Sequence, residues 1–350
     1  MTQAFKKPVA GQHHTPEFRR FVENALANLA EGDTPSAWAR RNGINENAAQ
    51  RIAREIVVEA KPLVFPDFVL EGDEHEPVEA ILQRQKEAFE RKAKAAAARK
   101  WFSIKVPETK PYGILWFGDP HIDNGGCNLP LLMRHIELAA RPGIYGGNIG
   151  DTSDNWPWTG RLARLWADSS VTDKDAKRMA EWFMFDSGVR WLVWLLGNHD
   201  EWNGGSEFYR RLGAQHVPML EWSAQFSVVH PNSSSVRIDA SHGRKGSSIY
   251  NPAHATLRAA KFGEHADLFV TGHTHSFACI EYENADRQER SWLAQARGYK
   301  FYDHYAKVNN FAEYQYGSAI LSVIDPETGR VLQCFSDPEE GADYLAFKRR

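Results

Sequence analysis

The sequence is poor in what several protein classes require. Three cysteines occur among 350 residues, Cys127, Cys279 and Cys334, and no two of them form a Cys-x-x-Cys pair. That excludes a disulfide scaffold and a structural zinc knuckle and suits a reducing compartment, so a cytoplasmic location is expected. Long apolar runs are missing too. The longest are strand-sized, such as Trp191–Leu196, far short of the ~18 residues of a membrane span. The first 18 residues hold no apolar block of the secretory kind, so no signal peptide is expected. A net charge of −3 selects no partner by itself. Nor is there an internal repeat. The remaining composition, 42% hydrophobic and 25% charged, is that of a globular chain and argues against wholesale disorder. The length predicts about two domains. Two surpluses stand out, 14 histidines and 12 tryptophans.

The chain reads as three regions: helical over 1–61, a linker and basic helix over 62–110, and an α/β region over 111–350. Thr15-Pro16 opens a first helix running to about Ala30, with Thr15 as N-cap and proline where its missing N–H costs nothing. Thr34-Pro35 opens a second, ended by Gly43, and Ile44-Asn45 begins a third that runs to about Glu59. The small Ala39 lets two helices approach, Gly43 permits a left-handed turn, and Ile44 and Ile52 fill the space between. This spacing resembles the helix-turn-helix of small DNA-binding proteins; a helical hairpin that docks a protein has the same pattern. Pro62, Pro66 and the acidic run near 71–76 read as a linker. A helix follows from about Pro77 to Lys100. Arg84–Lys105 carries eight basic and two acidic residues, which suits either a solvated linker helix or one lying along phosphates.

From residue 111 strands and helices alternate, which predicts an α/β core. Five strand candidates, Gly113–Phe117, Gly143–Ile149, Trp191–Leu196, Val236–Ala240 and Asp267–Thr271, each run into a polar block. In order these are Gly118-Asp-Pro-His121, Gly150-Asp-Thr-Ser-Asp-Asn155, Gly197-Asn-His-Asp200, Ser241-His-Gly243 and Gly272-His-Thr-His275. The ends of strands are where α/β proteins assemble sites. Carboxylate, imidazole and one amide without a thiolate make a borderline-hard donor set, suited to Mn²⁺, Fe, Zn²⁺ or Ni²⁺ and less to Cu(I) or Ca²⁺. There are too many donors for one ion. Asp119, His121, Asp151, Asn198, His242, His273 and His275, with one carboxylate shared, suit two ions about 3.5–4 Å apart.

These five blocks, in this order, resemble the calcineurin-like metallophosphoesterase family over roughly residues 111–335. The resemblance implies an αββα sandwich core behind the small all-α region, a catalytic domain over 111–350, and phosphoester hydrolysis by a hydroxide shared between two divalent ions, Mn²⁺ first, with Fe, Zn²⁺, Ni²⁺ or Mg²⁺ as alternatives. It assigns Asp119, His121 and His275 to one ion, Asn198, His242 and His273 to the other, and Asp151 to both. It makes His199 a catalytic group beside the ions and Asp154 the residue that orients its imidazole. The second block departs from the family's protein phosphatases, which carry an arginine where this sequence has Asn155, and the third ends in Asp200 rather than glutamate. Both departures favour a phosphodiesterase, expected to act on DNA or nucleotides. The alternative is a phosphomonoesterase or protein phosphatase with the helical region as a docking or oligomerising module; a binding protein with a dead site is disfavoured by the complete ligand set. An N-terminal helix-turn-helix joined to this core also resembles phosphoesterases borne by phages and prophages, which implies the host cytoplasm.

Three stretches could read the substrate. Arg244 and Lys245 follow His242 and offer phosphate contacts, and Asn155 stands beside the shared carboxylate. The segment Asn155–Trp166 mixes tryptophans with arginines and suits either base stacking or a local lid with Trp166 in the core. Tyr299–Lys307 mixes aromatic and basic residues and suits a packed element or a subunit contact.

Overall fold

The computed structural model describes residues 15–60, 76–213, 216–246, 248–302, 307 and 317–350. The expected linker at 62–75, and residues 303–306 of the last aromatic-basic stretch, lie outside the described residues. Contacts divide the chain into two compact units, 1–82 and 83–350.

In the first unit α1 spans Pro16–Ala27, α2 Pro35–Arg41 and α3 Glu46–Ala60. Thr15 and Thr34 cap the first two, their hydroxyls accepting the N–H groups of Phe18 and Ala37 at 3.2 Å each. Such caps are worth about 1 kcal/mol apiece. Phe18, Val22, Leu26 and Ile52 form the unit's small core, with Trp38 and Ile44 packed against it. Ala39 and Ala49 are wholly buried, and Gly43 takes φ +68° in the turn between α2 and α3. The basic helix, α4, covers Val78–Arg99.

The second unit is built on two six-stranded mixed sheets. Its strands are β1 (Phe102–Lys105), β2 (Tyr112–Phe117), β3 (Ile144–Asn148), β4 (Trp191–Leu196), β5 (Met219–Glu221), β6 (Ser223–Val229), β7 (Ser235–Ser241), β8 (Leu268–Thr271), β9 (Ala278–Asn284), β10 (Glu289–Gln295), β11 (Ala319–Asp325) and β12 (Arg330–Phe335). One sheet runs β1-β6-β7-β8-β10-β9, the other β12-β11-β2-β3-β4-β5. Trp116, Ile114 and Leu195 of one sheet meet Phe226, Ile238 and Val270 of the other in a shared core. The outer face of the second sheet is covered by α5 (Leu129–Ala139), α7 (Asp173–Phe185), α9 (Gly205–Gly213) and α11 (Pro338–Lys348); the short helices α6 (Ala163–Ala167) and α8 (Asn198–Glu201) lie in loops. Helix α10 (His254–Phe262) packs on the first sheet. Helices outside two packed sheets give the expected αββα layering.

Strands β2 and β4 are buried almost throughout, which is why they read as unbroken apolar runs rather than alternations. Within β3, the bare faces of Gly146 and Gly147 receive the rings of Trp191 and Trp116, each at 2.7 Å or less from where a Cβ would stand. Two of the surplus tryptophans are thus core residues fitted to glycine. The core also begins earlier than residue 111. β1 pairs in parallel with β6, and its half-exposed edge position, with Ser103 and Lys105 turned outward, hides it from a search for apolar runs.

His135 on α5 is buried beside Tyr299, its Nδ1 2.7 Å from the phenol oxygen. Burial and the nearby Arg134 charge pull its pKa down to about 4. The unfolded chain, with an ordinary histidine near 6.5, therefore binds the extra proton first as pH falls, so this residue's contribution is whole above ~6.5 and lost on the way to ~4, by up to about 3 kcal/mol. Denaturant melts of wild type and His135→Gln across this range should show a stability gap that narrows as pH drops; a constant gap overturns the assignment.

Candidate metal centre

The ends of β2, β3 and β4 in one sheet and of β7 and β8 in the other converge on one edge of the sandwich, and the five polar blocks meet there. Potential ligand atoms of Asp119, His121 and His275 lie within 4.8 Å of one another, and so do those of Asp151, His242 and His273. Asn198 joins the second group, its Oδ1 3.1 Å from His242 Nε2. His242 Nε2 also stands 3.3 Å from Asp151 Oδ2 and 3.1 Å from His273 Nδ1.

Two of the imidazoles are aimed by a contact on their far side, as metal-binding histidines commonly are. His242 donates from Nδ1 to the carbonyl of Ile149 at 2.8 Å, which leaves Nε2 for the cluster. His121 Nδ1 lies 2.8 Å from Asp154 Oδ1, and its buried Nε2 has no hydrogen-bond partner among the described residues. Asp119 accepts the main-chain N–H of His273 on both oxygens, at 3.0 and 2.8 Å. The backbone is strained to bring this about. Of eleven non-glycine residues with positive φ among those described, five are Asp119, His121, Asp151, His273 and His275. Conformations of this kind cost roughly 1–3 kcal/mol each and concentrate at functional sites.

The electrostatics ask for cations. Burial pushes Asp119 up to about 7. Burial opposes charge on His242, yet Asp151 and Asp119 outweigh it and raise its pKa to about 10. Asp151 is thus balanced by a proton on His242, while the other inward imidazoles of His273 and His275 are held neutral by burial. A donor set of imidazoles, carboxylates and an amide, with an orphaned Nε2 aimed inward, fits divalent metal ions.

A family model described as calcineurin-like phosphoesterase matches residues 68–277, more than half of the chain. The chain belongs to the calcineurin-like phosphoesterase family. It is therefore a metal-dependent hydrolase of phosphoesters. Among solved structures, a protein of unknown function from Aquifex aeolicus, AQ665, is 16% identical, with 47% of this chain and 80% of that one covered and a TM-score of 0.25. No curated protein matches.

Three expected contacts of this phosphoesterase differ from the sequence reading. His199 is oriented by Asp154, but through the main-chain carbonyl, to which its Nδ1 donates. The Asp154 carboxylate serves His121 instead, and is held by Lys300 at 3.0 Å, by Trp156 Nε1 at 3.1 Å and by the Asn124 amide. Asn155 borders the cavity beside the loop that follows Asp154, and its amide is turned to the main chain. Its amide donates to the carbonyls of His199 and Trp202 at 2.8 and 2.5 Å, bracing the chain that carries the imidazole. Arg244 turns to Asp239, bonding its carboxylate at 2.7 Å, with Thr271 at 2.9 Å; the arginine finds a buried acid one strand turn away and is neutralised there. Lys245 stays exposed. Trp166 is 39% exposed, not core.

The sequence reading missed several partners. Asp200 accepts the N–H groups of Asp151, Thr152 and Gly197 at 2.7–3.0 Å and so pins two blocks together; its aspartate identity serves the backbone. Trp156 and Trp202 stack on each other and both contact the His199 ring, at 4.6 and 4.3 Å between centroids. Lys300 lies in a segment singled out only for its composition, and no motif spacing marks it.

Gly197 has no room for a side chain, since a Cβ would stand 2.2 Å from Asp151 Oδ1 and 2.7 Å or less from His242. Gly197→Ala should keep the far-ultraviolet dichroism of the wild type while losing bound metal by elemental analysis. Full metal content would show that the cluster can yield.

Proposed function

We propose that this phosphoesterase is a phosphodiesterase acting on nucleic acid or nucleotides with two divalent cations, Mn²⁺ foremost. Asp119, His121 and His275 would hold one, Asn198, His242 and His273 the other, and Asp151 both. When bound, the ions supply the charge that lowers the pKa of a water and offsets the charge growing on phosphoryl oxygens. The chain's own groups do the rest. Ile149 and Asp154 fix the imidazoles of His242 and His121. His199, with Nδ1 committed to the Asp154 carbonyl, presents Nε2 towards Asp151, 3.9 Å from Oδ2, where it holds or moves a proton. Trp156 and Trp202 keep that imidazole in place and exclude water from its faces.

The diester preference rests on one observation: the second block offers Asn155 where a guanidinium would grip a dianionic monoester, and the one arginine of the fourth block is committed to Asp239. A monoester presents a further negative oxygen, best met by a bidentate guanidinium. Arg244 is spent on Asp239 and Asn155 on main-chain carbonyls, whereas a monoanionic diester makes no such demand. For the first unit we keep the targeting role. Arg51 and Arg54 on α3 are exposed, while Arg40 and Arg19 are paired with Glu46 and with Glu23 and Glu55.

With Mn²⁺ the protein should hydrolyse bis(p-nitrophenyl) phosphate; cleavage of the mono-ester alone overturns the diesterase reading. Asp151→Asn should abolish turnover and lower metal content, and retained activity would remove the shared role. His199→Ala should keep its metal and lose roughly 10²–10⁴-fold in kcat. The double variant Arg51→Glu, Arg54→Glu should weaken duplex DNA binding uniformly across sequences and flatten its salt dependence by about one unit of slope per lost phosphate contact. An unchanged slope refutes the targeting role.

A further inference from the structure

Between the loop that follows Asp154 and helices α7 and α9 lies a cavity of about 190 Å³. Its aromatic walls are Trp156, Trp158, Trp166, Phe208 and Tyr209. Trp156 is also the indole in edge contact with His199, so one ring separates the cavity from the reacting centre. Trp158 and Trp166, at 64% and 39% exposure, leave apolar surface open at the rim. Exposed apolar surface around a concavity marks a ligand seat.

The polar lining identifies the occupant. Asp123, Asp154 and Asp173 border the cavity with Lys177, and Lys300 balances Asp154 from behind, so the lining offers carboxylate acceptors to a neutral ring with N–H donors and no cluster of cations to a phosphate. Asp123 is only 6% exposed. Its Oδ1 takes the N–H of Asp154 at 2.7 Å, and no bond to Oδ2 is formed among the described residues. The volume is below the ~300–1,000 Å³ of pockets for drug-sized ligands, which suits one planar ring system. Indole walls and a carboxylate acceptor together are the chemistry of nucleobase recognition: stacking on the faces, hydrogen bonds at the edge.

We propose that this cavity seats a nucleobase of the nucleotide next to the scissile phosphate. The inference rests on the diesterase reading and narrows it, because a base paired within a duplex cannot enter. The substrate class is then nucleic acid with an unpaired base at the cut, single-stranded or frayed. A tyrosyl ring would stack as well but brings no N–H donor to Asp123, so a phosphotyrosyl peptide is the disfavoured occupant.

The test uses the full chain loaded with Mn²⁺. A short single-stranded oligonucleotide is compared with the same strand carrying a tetrahydrofuran abasic residue at the cleavage position, identical in phosphates. The intact strand should be preferred in kcat/KM, and Trp158→Ala and Trp166→Ala should each cut that preference roughly 5- to 100-fold, the range of base–aromatic stacking. Trp158→Phe should restore part of it. Equal cleavage of the two strands by the wild type, or a preference the alanine variants leave intact, overturns the pocket while leaving the diesterase reading standing. Failure to cleave any diester overturns that reading instead, and the pocket is then decided by adenosine binding, read as saturable tryptophan quenching at millimolar nucleoside. Quenching lost in Trp158→Ala supports the pocket. Its absence in the wild type, or stronger quenching by phosphotyrosine than by adenosine, refutes it.

Discussion

Asp151 is the buried residue through whose carboxylate and main chain four of the five strand ends are tied together. Its Oδ1 accepts the main-chain N–H of His199 at 2.9 Å and its Oδ2 faces His242 at 3.3 Å. Its own N–H goes to Asp200 and its carbonyl takes the N–H of His121 at 3.0 Å. An ionised carboxylate placed in an interior is expensive unless every lone pair is met. Here the neighbours that meet them are the catalytic blocks themselves. Moving the block after β4 or the block after β7 leaves that buried charge uncompensated, so these two and the block of Asp151 depend on one another. The positive-φ backbone at Asp119, His121, Asp151, His273 and His275 is tolerated for the same reason: the cost of each is fixed locally, but the return comes from the whole cluster.

A second layer follows from that arrangement. Once Asp151 faces the imidazoles, other carboxylates are free to orient rather than to bind. Asp200 turns entirely to backbone N–H groups, and Asp154 to His121, with Lys300 balancing its charge. His199 is left with a carbonyl as its partner and two indoles as its walls. A neutral acceptor orients the ring without adding a negative charge beside the cluster, and burial draws the imidazole's pKa down to about 4.

How much of this was legible in the sequence depended on the kind of signal. The seven candidate ligands were readable because each follows a strand, six of them with a glycine at its end, and the fold gathers them. The strands β2, β3, β4, β7 and β8 were readable because they are buried on both faces. The edge strands β1 and β9 were not: Ser103, Lys105, Glu281 and Glu283 face outward and break the apolar pattern. Hydrogen-bond destinations were the least legible. Nothing in the order of residues says that Arg244 meets Asp239, five positions back along the same strand and turn, or that Asp154 orients with its carbonyl rather than its carboxylate. Spacing fixes which residues are near; the direction of a side chain is settled by which neighbour is already charged and already buried.

The same reasoning separates reaction from recognition. Strand ends are held by two sheets and cannot vary without releasing Asp151, so they define a phosphoester-cleaving centre common to many substrates. Recognition has to come from segments that the sheets do not constrain. With Arg244 neutralised by Asp239 and Asn155 spent on carbonyls, no guanidinium from the second or fourth block is left to discriminate by charge. What remains around the centre is aromatic. Trp222 presents its edge to His242 and His273, at 5.6 and 6.5 Å between centroids, while Trp156 and Trp202 flank His199 on the other side. Indoles recognise by shape and stacking rather than by charge. Under the proposed diesterase reading, a site rimmed in this way would select by the groups attached to a phosphate rather than by the charge on it.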